Sequence, residues 1–204
     1  MLLGCSAFAQ TSTGTVVLNG RLSFSNEAKE YQETGYKNTW RGITVAPAIG
    51  YFIHDGLETG ISSGINKVFS KNQFKTEETK LKVNNYSINP YIRKYLAITD
   101  QLQLHGTGYV SLGFGNSKYQ SESDASPKLS HTTTSYGIGF YPGLTYFATP
   151  KIGFTASFGS LAFSRTKQRP EEDADVTESI TYKSFTAALS PNSVSIGFGY
   201  YIGQ

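Results

Sequence analysis

The feature that most constrains this chain is where its carboxylates stand relative to its alternating runs. The segment 101–115, "QLQLHGTGYVSLGFG", sets Leu102, Leu104, Val110, Leu112 and Phe114 on one parity and Gln103, His105, Thr107, Tyr109 and Ser111 on the other. That is the period of a strand with two unlike faces. Similar runs are expected over about residues 13–25, 39–53, 57–69, 82–97, from 133 to the tight turn at Ala148–Pro150, over 152–163, and from 194 to the end of the chain. Of the 15 Asp and Glu, twelve fall in four long polar stretches near 26–38, 70–81, 116–132 and 164–180. Asp55 and Asp100 sit in short turns, and only Glu58 lies inside an expected strand. A soluble sandwich or barrel wants ionised groups on its outward strand positions. Here one strand face is Leu, Ile, Val, Phe and Tyr, and the other is Ser, Thr, Gly, Asn, Gln and Tyr. The second face is too hydrophilic for a soluble core and suits a narrow polar lumen. The oily face is therefore expected against lipid, where a closed barrel can make all its backbone hydrogen bonds.

Composition agrees with this reading. The 204 residues suffice for one domain, and 14 Tyr, 13 Phe and 21 Gly in short alternating runs favour strands over helices. No run is long and apolar enough for a transmembrane helix, and a mean hydropathy of −0.30 alone would suggest a soluble protein. The net charge of +3 is spread without a basic stripe, which argues against nucleic acid. A single Cys excludes an intrachain disulfide. Residues 1–9 read as the end of an export signal, with Ala7-Phe8-Ala9 as the cleavage pattern, its basic start expected upstream of Met1, and residues 10–204 as the mature domain. Leu2-Leu3-Gly4-Cys5 also resembles a lipobox, which would place a lipid on Cys5.

The runs "ITVAPAIGYFIHDGLETGISSGI", "INPYIRKYL", "KIGFTASFGSLAFS" and "VSIGFGYYIGQ" resemble the small outer-membrane β-barrel proteins of diderm bacteria, the OmpX/OmpA-like class. The resemblance covers residues 10–204. It implies an all-β, closed, antiparallel, up-and-down transmembrane barrel of about eight strands, with short periplasmic turns and long outer loops. It also implies a monomer in the cell outer membrane, surrounded by membrane lipid and lipopolysaccharide and handled by the barrel assembly machinery during insertion. Members of the class usually end on an aromatic residue, whereas here Tyr200 and Tyr201 are followed by Ile202, Gly203 and Gln204. Thr181–Leu189 also alternates and is read as an extracellular extension of the last strand, broken near Pro191; an extra strand pair is the alternative.

A barrel of eight strands is just wide enough for side chains to fill it. By register Arg21, Glu58, Arg93 and His105 point into that lumen as a polar network. Glu58 and Arg93 fall on neighbouring strands beside short turns, close enough to pair. Trp40, Tyr51, Tyr95, Phe147, Tyr200 and Tyr201 lie near strand ends and are expected in the interfacial aromatic girdles. No catalytic residue, metal site or cofactor is assigned. His131, with Ser130, Ser135 and Asp124 nearby, is the one histidine placed for an outer-rim enzyme, but no nucleophile motif frames it. Glu171–Asp175 lacks the spacing of a calcium loop, and the glycines of 106–108 and 113–115 lie inside a strand, where no phosphate loop forms. The expected function is a structural or surface-interaction barrel presenting polar loops. The rivals are a narrow channel, a lipid A-modifying enzyme and a soluble lipocalin-type carrier, the last opposed by the lack of a Gly-x-Trp near the first strand.

Overall fold

Each alternating run becomes a strand of one antiparallel sheet that closes on itself. The computed structural model describes residues 9–31, 35–74, 77–121, 130–170, 179–188 and 195–203. A short 3-10 turn, Ala9–Thr11, leads into β1 (Val16–Tyr31), β2 (Tyr36–His54), β3 (Leu57–Phe74), β4 (Glu77–Ala97), β5 (Leu102–Ser121) and β6 (Ser130–Thr149). These are followed by β7 (Ile152–Ser157), β8 (Ser160–Pro170), β9 (Ile180–Ala188) and β10 (Ser195–Ile202). Neighbours pair in chain order from β1 to β7, and β7 pairs with β10, which returns to β1. The ring therefore has eight hydrogen-bonded strands. β8 continues the seventh strand along β6, and β9 lies beside β8.

The apolar parity faces out. Val110 is 46%, Ile138 60% and Phe154 49% exposed, while Thr107, Gln103 and His105 on the other parity are buried. The seventh strand keeps this sense only because it contains a bulge. Gly143 pairs with Ser157 but Phe140 pairs with Leu161, so Phe158 to Ser160 oppose one residue fewer on β6. Gly159, at φ 71°, takes the left-handed turn that such a slip requires. The extra residue switches parity, and Phe154 below the slip and Phe163 above it both face lipid. Sequence alternation read straight through this point misplaces one half of the strand.

The strands are also longer than expected. β4 has 21 residues, about twice the ~9–11 that a tilted strand needs to cross hydrocarbon. Much of the four polar stretches read as loops is strand: Asn26–Tyr31 in β1, Glu77–Leu81 in β4 and Ser164–Pro170 in β8. The backbone ladder continues into water because each strand keeps a partner there. Opposite charges sit across it, with Glu30 to Lys37 at 2.7 Å and Glu78 to Lys71 at 2.6 Å. Tyr31 pairs with Tyr36, and Phe74 with Glu77, so two hairpins stand well above the apolar band.

The seam between first and last strands is shorter. β1 pairs with β2 from Val16 to Tyr31, but with β10 only from Val16 to Leu22. β9 occupies the place of an extension of the last strand along β8, and among the described residues it makes no ladder with β1. The segment around Pro191, residues 1–8 of the expected export signal with Cys5, and Glu171–Asp175 lie outside the described residues.

Candidate functional site

The lumen divides into a packed floor at the short-turn end and an open chamber above it. The floor is built by residues whose parity matches the polar face yet whose side chains are large. Val17, Phe52, Tyr95, Phe147 and Tyr201 are between 0% and 4% exposed. Phe52 packs at a tilt against Tyr95 with centroids 5.5 Å apart, and Phe147 meets Tyr201 edge-on at 5.0 Å. The segment before β1 passes beneath them: Phe52 N donates to Thr15 O at 2.9 Å, and Gly56 N to Thr11 O at 2.8 Å. The Thr13 backbone N–H and hydroxyl donate to Asp55 Oδ1 at 2.8 and 3.0 Å, which fastens this segment to the β2–β3 turn. Those two bonds hold the Asp55 carboxyl below the usual aspartate range.

Directly above lies a charged layer. Glu58 is fully buried and pairs across the ladder with Arg93. Arg93 Nη1 stands 3.6 Å from Glu58 Oε2. The carboxylate is satisfied mainly by hydroxyls: Tyr91 donates to Oε1 in a short hydrogen bond, and Tyr95 to Oε2 at 2.9 Å. The guanidinium spreads its donors, with Nε to Thr107 Oγ1 at 2.8 Å, Nη1 to the Tyr95 hydroxyl at 3.2 Å and Nη2 to the Tyr141 hydroxyl at 3.4 Å. An ion pair this deep persists only if its other lone pairs and protons find partners, and the ring of tyrosines supplies them. Small residues make the room. A Cβ on Gly50 would collide with the Glu58 carboxylate, one on Gly60 with the Tyr91 ring, and one on Gly143 with the His105 imidazole.

The four residues expected in one network are therefore split. Glu58 and Arg93 form its centre. His105 is 1% exposed and adjoins it through the Tyr95 ring at 5.6 Å and Thr107 Oγ1 at 3.5 Å. Its Nε2 has no hydrogen-bond partner among the described residues. Arg21 stands higher, in the chamber, with its guanidinium 5.5 Å from the centre of the Tyr141 ring. The chamber holds about 390 Å³ and is lined by Asn19, Arg21, Thr44, Ser62, Asn89 and Ser111, with Tyr109 and Tyr141 opposite.

The girdle expectation needs correcting. Tyr51 and Tyr200 do face lipid, at 47% and 40% exposure, but Tyr95, Phe147 and Tyr201 point inward and form the floor. Trp40 falls on the luminal parity with Gly42 and Thr44. Proximity to a strand end is a weaker signal than parity. Phe52, absent from the expected lumen residues, shares the parity of Ala46, Ala48 and Gly50, which is the clue that places it inside. His131 lies on β6 between Ser117 and Pro170, and Asp124 lies outside the described residues. Among the described residues no three His, Cys, Asp or Glu side chains are grouped to hold a metal ion.

No protein-family model and no curated protein matches the chain. Among solved structures the fold is similar to that of the outer membrane protein OprG from Pseudomonas aeruginosa, with a TM-score of 0.54 at 13% identity, covering 96% of this chain and 99% of that one. It is also similar to a major outer membrane protein from Thermus thermophilus, with a TM-score of 0.51 at 9% identity, covering 93% and 99%. At such identities the likeness is one of fold. Together with the apolar belt on the outer wall, that fold defines the class: a small β-barrel of the cell outer membrane.

Proposed function

We propose that this barrel does not conduct and serves as a rigid mount of structural or surface-interaction type. The observation that supports this reading is the floor: an aromatic layer and a buried ion pair lie in series across the barrel axis, along which solute would have to pass. Outer-membrane barrels place short turns in the periplasm and long connections outside. In that orientation the chamber, the extended hairpins and the polar connections face the environment. Membrane lipid and lipopolysaccharide surround the wall, and the assembly machinery handles the chain during insertion. The chain works as a monomer, because its ladder closes on itself through the apolar band. The reading includes no catalytic act.

Planar-bilayer recording tests it. Purified protein is expected to give no stepwise current, whereas Phe147→Ala combined with Tyr201→Ala should create one by thinning the floor. Steady current steps from the unmodified protein, altered by Arg93→Ala, would replace this reading with that of a narrow channel.

A further inference from the structure

The outward parity of β2, β3 and β4 changes character at one level. Going toward the long-loop end, β2 reads Ile49, Pro47, Val45, Ile43 and then Arg41; β3 reads Ile61, Ser63, Ile65 and then Lys67; β4 reads Ile88, Tyr86, Asn84 and then Lys82. The register sets these side chains beside one another. Arg41 pairs with Phe69 and Phe69 with Lys82, while Ile43 pairs with Lys67 and Lys67 with Asn84. Arg41, Lys67 and Lys82 are all exposed. With Phe24, Ile43 and Phe69 they line a groove of about 390 Å³ on the outer wall.

One feature separates this patch from an ordinary solvated face. Among the described residues none of the three cations meets a carboxylate, although Glu78 on the same face holds both Lys71 and Lys80. The same rim elsewhere sets Arg165 directly opposite Lys183 across β8 and β9, a like-charge pairing that is unfavourable without an intervening anion. The groove sets apolar and cationic side chains side by side, with Lys67 opposite Ile43 and Phe69 between Arg41 and Lys82. Guanidinium and ammonium groups in that arrangement match a phosphate monoester held at the headgroup level.

We propose that this groove binds a phosphorylated, multiply acylated glycolipid of the outer leaflet, the lipid A part of lipopolysaccharide. Its phosphate sits among Arg41, Lys67 and Lys82, and the roots of its acyl chains lie against Phe24 and Ile43. This rests on the reading that the wall is membrane-embedded with its long connections outside. Charge complementarity selects the phosphate, and Phe24, Ile43 and Phe69 among the cations select a lipid over a free ion.

The test uses full-length protein in mild detergent, with native mass spectrometry of added lipid A, dephosphorylated lipid A, phosphatidylglycerol and inorganic phosphate. Lipid A adducts are expected to survive, and dephosphorylation should weaken them at least tenfold. The combined variant R41Q/K67Q/K82Q should lose a similar factor for lipid A only, and Lys151→Gln, at the opposite end, should change nothing. Heat-modifiable migration on a cold denaturing gel reports that each variant is folded. If the combined variant does not fold, Lys67→Gln alone is expected to weaken lipid A about threefold. The proposal is overturned if the folded variants hold lipid A as well as the parent. Equal retention of the dephosphorylated lipid or of phosphatidylglycerol overturns it too, as does displacement of lipid A by equimolar inorganic phosphate. Recovery of the parent chain as a soluble periplasmic protein would remove the membrane reading itself, whereas charge-independent binding by a membrane-extracted barrel removes only this site.

Discussion

The two halves of the lumen use the same strands and the same inward parity, yet one is solid and the other hollow. In the lower half Phe52, Tyr95, Phe147 and Tyr201 fill the cross-section and Glu58 meets Arg93. In the upper half Thr44, Ser62, Asn89 and Ser111 leave about 390 Å³ open. Backbone geometry is common to both, so side-chain volume decides. The comparison teaches that a barrel of this size is plugged or open according to a handful of inward positions. It also shows where charge is tolerated. Arg93 sits buried because a carboxylate and tyrosine hydroxyls surround it. Arg21 has no such enclosure: it lines the open chamber, with one aromatic ring against its guanidinium.

The sharpest way to break the comparison is to remove one charge from each half. Glu58→Ala leaves Arg93 buried without its counter-charge, and the expected cost is about 3–5 kcal/mol in urea unfolding from lipid vesicles. Arg21→Ala should cost under about 1 kcal/mol. Adding Arg93→Ala to Glu58→Ala should recover part of the loss, so that the double variant costs less than the sum of the singles by about 1–3 kcal/mol. If Glu58 and Arg21 prove equally dispensable, the floor is not a packed layer.

A smaller effect is expected from crowding the same layer. Gly143→Ala drives a methyl group into His105 and should cost about 1–3 kcal/mol by the same unfolding assay. Gly108→Ala, where a Cβ meets only Ile92 Cγ2 at 3.8 Å on the lipid side, should be near neutral. Equal tolerance at the two sites would mean that the floor relaxes freely.

The smallest effect belongs to the turn beneath the floor. Asp55 is exposed, and its pKa is lowered in the folded state by the Thr13 bonds. Such a group adds stability that is complete above its unfolded value and is lost as pH falls through the lowered folded value. Asp55→Asn should therefore lower stability slightly at neutral pH, leave it nearly unchanged below the lowered folded value, and so flatten the acid limb of the profile. An undiminished acid limb in that variant would show that the tether plays no part.

Different parts of this molecule were legible in the sequence to different depths. The outward face was open to reading because lipid demands apolar side chains at every second position, and Val110, Ile138 and Phe154 meet that demand. Glu58 opposite Arg93 was readable because Glu58 follows one short turn and Arg93 precedes the next, which sets both at the same end of neighbouring strands. The upper strands were not, because in water neither face of a strand must be apolar and the alternation fades where the ladder continues. The slip at Gly159 was hidden for another reason: one extra residue changes parity without changing composition. The floor was half visible. Tyr201 and Phe147 carry no mark that separates a girdle residue from a plug residue except parity counted from a secure neighbour.

The claim on which everything rests is that the apolar parity touches hydrocarbon while the polar parity is enclosed. Tryptophan placed singly at Ile138 or at Ser111, in a Trp40→Phe background, reads both faces in vesicles whose acyl chains carry bromine. Strong quenching at position 138 and little at position 111 is the result expected here. Quenching at position 111 with none at 138 would contradict the account.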